Sequence, residues 1–370
     1  MSATLSAYIA RRFLVTLFCA FAVVCLIIFL GNLLEMLRRS ASGDASFVNV
    51  AAIAALQTPT TALTASPFII MLATLAAFAR LARASELVVT RAAGVSAWAL
   101  IAPVVLSAAL LGVASVTALN PIAAATQQRA ETLEARHLSG RASRLSISGE
   151  GLWLRQGDGA GQTVIHARAA NSTATELRDV TLFAFDAGGI VLSRTDAAEA
   201  VLTPGAWRLR DAVRRDITRT PGADALSAQA TAFATLDTPT DLTSGQIIDS
   251  FESPESISFW SLPGFIATLE AAGFSARRHR LHWQAQLALP LLFAGMAMIG
   301  AAFSMRHARL GGLGLMALAA VLAGFGFYFI ADLAKALGAS GAIPVALAAW
   351  APPASTVLVA AGLLLHLEDG

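Results

Sequence analysis

Uncharged, mostly apolar positions run without a break from Phe13 to Leu34, 22 residues in all. As a helix they extend about 33 Å, enough for a hydrocarbon core of about 30 Å. Arg11 and Arg12 precede this run, and it is too long for the apolar core of a cleaved signal peptide. It therefore reads as an uncleaved anchor with its N-terminus in the cytoplasm. A second apolar stretch, Phe47 to Ala79, exceeds one span and contains Pro59 and Pro67. It predicts a surface-lying or kinked start followed by a span ending near Arg80. A third runs from about Ala97 to Leu119 and is expected to stop at Asn120-Pro121, because proline lacks an N–H and restricts the residue before it.

Between Ala125 and Trp260 the texture changes. Arginine, aspartate, serine, threonine and glycine become common, and apolar residues fall into short groups. Val180 to Phe185 and Ile190 to Leu192, separated by Asp186-Ala187-Gly188-Gly189, read as a hairpin. Gly151 to Leu154, Val164 to His166 and Trp207 to Arg210 are further strand candidates. The insert is expected to be all-β, an antiparallel sandwich or jelly roll. Three more spans follow, at about Trp283 to Met305, Gly311 to Leu333 and Ile343 to His366. The predicted architecture is an α-helical membrane protein of six spans in a 3+3 arrangement around a jellyroll-like domain. Its boundaries are residues 1–124 for the first membrane half, 125–262 for the β domain and 263–370 for the second half.

Composition narrows the function classes. Hydrophobic residues make up 56% of the chain and charged residues 14%, against about 25% charged in soluble domains. A net charge of +2 gives no basis for nucleic-acid binding. Cys19 and Cys25 lie six residues apart within the first span and point in different directions, so they do not bridge. The single lysine, Lys335, sits between two alanines, so the Gly-Lys-Ser/Thr of a phosphate-binding loop is absent and the chain is not a P-loop ATPase. With the N-terminus inside, the cytoplasmic segments hold Arg11, Arg12, Arg80, Arg83, Arg91, Arg306 and Arg309, and the short outer loops hold Arg38, Arg39 and Lys335. This bias places the β domain outside the cytoplasm and the C-terminus inside.

The connection from Arg80 to Ser96 predicts a short amphipathic helix at about 84–95. Ser85 is positioned to cap its start, Glu86 to favour the positive end of its dipole, and Gly94 to end it. It is either an interfacial helix resting on the bilayer or a coupling helix that fits a groove on a separate nucleotide-binding subunit, with Glu86 and Arg91 as its exposed polar contacts.

Ser85-Glu86-Leu87-Val88-Val89 followed by Ala92-Ala93-Gly94-Val95-Ser96 resembles the coupling region of the lipopolysaccharide export permeases, the LptF/LptG (YjgP/YjgQ) family. Gly151-Leu152-Trp153, Ala206-Trp207-Arg208-Leu209 and the three closing spans match in order and spacing, and the chain looks more like the LptG branch. The resemblance implies a permease half that pairs with its paralogue (LptF, if this is LptG) above a cytoplasmic LptB ATPase homodimer. Periplasmic jellyrolls would join those of LptC and the LptA bridge to carry lipopolysaccharide from the inner membrane toward the outer one. ATP and magnesium would be used by the ATPase, leaving this chain without cofactor, metal or catalytic residue. It also implies a lateral gate at helices one and five around an apolar cavity, and ATPase coupling through Ser85, Glu86, Leu87 and Arg91.

Beyond the first span, Arg38 and Arg39, with Glu35 a turn earlier, suit lipid A phosphates because guanidinium binds them bidentately. The alternative is an ordinary juxtamembrane flank. Asn32 stands where some LptG proteins carry a lysine, and it completes the candidate lipopolysaccharide set. Asp332 and Lys335 are spaced to pair at i, i+3, an interfacial placement rather than a proton relay. His279 and His282 share a helical face, but no carboxylate or cysteine stands at ligand spacing in sequence. The rival readings are a mechanotransmitting subunit coupled to a cytoplasmic ATPase without a transported lipid, and a secondary transporter. The latter calls for mid-membrane ionisable groups, which are scarce here.

Overall fold

The computed structural model describes residues 3–40, 46–137, 144–148, 151–158, 161–171, 175–186, 189–219, 226–240, 253–271, 275–305 and 313–368. Arg306, Arg309, Gly311 and Gly312 lie outside them, as do Ala187 and Gly188 of the predicted turn. Two compact units are formed. One comprises Met1–Leu133, Pro254–Leu262 and Arg277–Gly370, the other Glu134–Ser253 and Pro263–Ala276.

The first unit is helical: α1 (Ala3–Ser40), α2 (Phe47–Arg83), α3 (Glu86–Ala92), α4 (Ala97–Ala114) and the start of α5 (Asn120–His137). After α6 (Leu262–Ala271), which belongs mainly to the other unit, come α7 (Arg277–Leu287), α8 (Leu289–Met305), α9 (Leu313–Ser340) and α10 (Val345–Glu368). Among the described residues five helices are long and apolar enough to span a membrane, six if α7 and α8, bent by 52° at their junction, are counted as one broken span. The expected single helix from Trp283 is thus divided at Ala288, where polar α7 meets apolar α8 and Pro290 removes a backbone donor.

Helix α8 is the hub, with Phe293, Met296 to Ala302 and Ser304 buried. Lipid tails are as apolar as leucine, so close packing rather than water exclusion holds such helices together. Small residues supply it. A Cβ on Gly112 would lie 2.5 Å from Pro290 Cα, and one on Gly300 would lie 2.4 Å from the Met71 carbonyl oxygen.

At neither of two expected boundaries does the helix end, for a common reason. Helix α2 runs continuously through Pro59 and Pro67, instead of starting as a separate surface-lying segment. The Leu63 carbonyl, which would accept from an N–H at position 67, accepts the Ser66 hydroxyl instead. Likewise the third span does not stop at Asn120-Pro121. It passes through a π-helical turn, Ser115–Leu119, into α5. Pro121 has no N–H to offer the Thr117 carbonyl, and the Trp260 indole donates to that oxygen at 3.1 Å. Such rescue of freed backbone groups is what lets proline persist in spans. Beside it, buried Asn120 Oδ1 accepts the Phe259 amide at 2.8 Å. Asn120→Ala should therefore cost about 1–3 kcal/mol by orphaning a buried N–H. Asn120→Asp keeps the acceptor and should retain more of the thermal stability in detergent.

Among the described residues the second unit carries a seven-stranded antiparallel sheet in sequential order, β1 to β7. Its strands are Arg144–Ser148, Gly151–Asp158, Gly161–Ala170, Glu176–Asp186, Val191–Thr203, Ala206–Arg219 and Leu226–Pro239. The predicted hairpin is β4 and β5, with Gly189 at φ 81°. In a flat meander β2 and β7 would stand about 24 Å apart, five strand spacings. Yet Thr240 Oγ1 donates to Gln156 Oε1 at 2.6 Å and Gln156 Nε2 to the Pro239 carbonyl at 3.2 Å. The sheet therefore folds over on itself, enclosing Leu152, Leu154, Ile165, Trp207 and Leu209. A crease marks the strands. Buried residues shift parity between Ala167 and Ala170, Leu177 and Val180, Ala197 and Ala200, and Leu209 and Ala212. Asp179 (φ 51°) and Asp211 (φ 50°) occupy this row in left-handed conformations, which the short polar aspartate tolerates better than most side chains.

Candidate functional site

Two of the charged groups singled out in the sequence lie at the two ends of α1. At its Arg12 end lies α3. Its first residue is preceded by Ser85 in a left-handed conformation (φ 59°) that makes no side-chain cap, contrary to the expected capping role. The turn geometry accounts for the difference, because an N-cap hydroxyl reaches the helix amides from extended φ/ψ. Gly94, at φ 82°, follows the end of the helix. Leu87 is buried in the helical core, and Arg91 is exposed. Val88 and Val89 are 60% and 67% exposed side by side on α3. This apolar pair escaped the sequence reading because alternation within so short a helix cannot separate a partner-facing valine from a core-facing one.

Glu86 is not the freely exposed contact that its composition suggested. Its carboxylate accepts the Tyr8 hydroxyl at 3.0 Å and lies 3.8 Å from Arg12 Nη2. Arg12 in turn donates to the Tyr8 oxygen at 2.7 Å and sits over the Tyr8 ring, 5.2 Å from its centroid. Tyr8 was missed in the sequence, where nothing marks a tyrosine 78 positions from its partner.

At the other end of α1, Glu35 pairs with both candidate arginines, at 2.9 Å to Arg39 and 3.3 Å to Arg38. Arg38 remains 80% exposed in its side chain. The three residues thus form one rim cluster with a net positive charge. One turn inward, the amide nitrogen of Asn32 is buried without a hydrogen-bond partner. Asp332 and Lys335 are both exposed on α9 and form no ion pair with each other. On α7, His282 Nδ1 stands 3.8 Å from Glu255, a carboxylate brought in from 27 positions away. Among the described residues no group of three or more His, Cys, Asp or Glu side chains could hold a metal ion.

The folded sheet carries an open cavity of about 500 Å³ on its crease, lined by residues including His166, Arg168, Asp179, Asp196, Asp211 and Arg215. Burial raises the Asp196 pKa, but hydrogen bonds from Arg194, Thr181 and Arg215 outweigh it and hold the carboxyl below its ordinary 3.8. The lining is internally paired, with Arg168 3.5 Å from Asp179.

Long apolar helices with interhelical glycine contacts and an inserted antiparallel sheet define a multi-pass membrane protein with a β insert. The chain belongs to the lipopolysaccharide export system permease LptF/LptG family, whose profile matches residues 7–366. It is 24% identical over 334 residues to the lipopolysaccharide export system permease protein LptG of Escherichia coli strain K12, covering 90% of this chain and 89% of that protein. The same figures hold for LptG of Escherichia coli O6:H1. Family membership makes this chain an LptG-like permease subunit of lipopolysaccharide export, a transport component with a paralogous permease in the same system.

Proposed function

We propose that this chain is the membrane-path half of an ATP-driven lipopolysaccharide extractor, working beside its paralogue above a cytoplasmic LptB ATPase dimer that uses ATP and magnesium. The observation that carries the coupling is α3. It joins two spans, anchors through Leu87, and leaves Val88, Val89 and Arg91 toward solvent, the profile of a helix that completes its burial in another subunit. Orientation follows the arginine bias, with both termini and α3 cytoplasmic and the β domain periplasmic, in the inner membrane.

The faces of α1 and α9 are the least buried of the five unbroken candidate spans among the described residues. Phe18, Leu26, Leu30, Leu322, Phe325 and Phe329 are exposed on them, supplying an apolar wall for acyl chains and a gate between helices. Asn32, Glu35, Arg38 and Arg39 form the polar rim for a phosphorylated headgroup. The folded sheet then receives the lipid and passes it to the LptC and LptA jellyrolls.

Photocrosslinking in the purified complex tests this path. A probe at position 38 should capture lipopolysaccharide before ATP is added, and one at position 153 only afterwards. Retention of the ATPase with no lipopolysaccharide at either position would replace extraction by mechanotransmission.

A further inference from the structure

The geometry points to Tyr8 and Arg12 as positioning residues that tie α3 to α1, so that displacement of α3 is delivered to the far end of α1. Three observations converge. First, Glu86 opens α3, and its carboxylate is taken up by α1 through the Tyr8 hydroxyl at 3.0 Å and Arg12 at 3.8 Å. Second, Arg12 closes the triangle by bonding the Tyr8 oxygen at 2.7 Å while lying over the same ring. The hydroxyl is therefore polarised between a cation and an anion, and hydrogen bonds to charged groups are the stronger class. Third, α1 is one unbroken helix of 38 residues, about 57 Å long. Near the latch Ile9 and Phe13 are seated in the helical core, whereas toward the other end only Met36 is buried.

A stiff rod seated at one end and lightly held at the other converts a small movement at the seat into a larger one at the rim cluster of Glu35, Arg38 and Arg39. The contact is local, charged and at the surface, so it adds little to global stability. What it adds is direction. Without it, α3 can shift on its Leu87 anchor and leave α1 behind. The inference rests on the proposed docking of an ATPase on α3, and it assigns how that docking reaches the lipid side.

The test uses the full complex of this chain, its paralogous permease and the ATPase, reconstituted with lipopolysaccharide. Tyr8→Phe removes one oxygen and Arg12→Gln one charge. Each should leave ATPase retention and hydrolysis within twofold of the unaltered complex. Lipopolysaccharide moved per ATP should fall about two- to fivefold, the size of effect expected for losing one solvent-exposed charged contact. Hydrogen exchange at the helix-bonded amides of α3, from Val89 (to the Ser85 carbonyl) to Ala93 (to the Val89 carbonyl), should accelerate in Tyr8→Phe, a readout independent of transport. Unchanged yield per ATP, or unchanged exchange, overturns the latch. Hydrolysis and transport falling in equal proportion would show that Tyr8 and Arg12 merely hold α3 in shape, which overturns it too. Failure of the underlying reading is separately visible, since the unaltered chain would then retain no ATPase.

Discussion

Replacing Gly300 by leucine is expected to abolish recovery of folded protein from membranes, and Gly300→Ala to cost about 2–3 kcal/mol, toward the upper end of ordinary overpacking penalties. The reason is geometric. A Cβ at position 300 would stand 2.4 Å from the Met71 carbonyl oxygen, 3.0 Å from Thr74 Cβ and 3.2 Å from the Leu75 amide nitrogen. Two of those neighbours are backbone atoms of α2, so relief requires α2 and α8 to separate. Gly326 on α9 has nothing within 4 Å of its would-be Cβ, and Gly326→Ala should stay within about 0.5 kcal/mol of the parent. Detergent thermal unfolding of the two alanine variants makes the comparison. Equal midpoints would mean that the α2–α8 contact is looser than the distances require.

The second large effect is expected at α3. The double substitution Val88→Asp, Val89→Asp should reduce co-purified ATPase by tenfold or more while the chain itself still folds, because both side chains are already mostly exposed. Burying two valines against a partner is worth about 1.5–3 kcal/mol each. Two unpaired carboxylates at the same place add a desolvation penalty on top. If ATPase retention is unchanged, α3 is not the ATPase-docking element and the coupling reading falls.

The spans were legible because each is long, uncharged and bounded by charge, a pattern that water and lipid impose on any sequence. Their ends were less so. Asn120-Pro121 looked like a stop because a proline's missing N–H leaves a carbonyl orphaned, and the donor that rescues it is Trp260, 143 positions away. The β insert was visible as short strands around Trp153, His166, Asp186 and Trp207. β1 and β7 went unread, since their apolar positions are sparse and interleaved with serine, threonine and alanine. At the candidate site, the rim arginines and α3 stood out by charge against apolar surroundings, but Tyr8, Val88 and Val89 did not.

The class was legible in the chain's own local chemistry, apolar runs long enough for a bilayer with charges at their ends, and the family in the resemblance of a short motif between helices, which the profile match over residues 7–366 bears out. The tertiary structure alone decided which polar groups meet. Glu86 finds Tyr8, Asn120 finds the Phe259 amide, and Gln156 finds Thr240 across the fold of the sheet. Spans follow from solvation, which each residue experiences separately. Such pairings depend instead on how distant segments pack, and a single hydrogen bond between remote positions leaves no period in the sequence from which to read it.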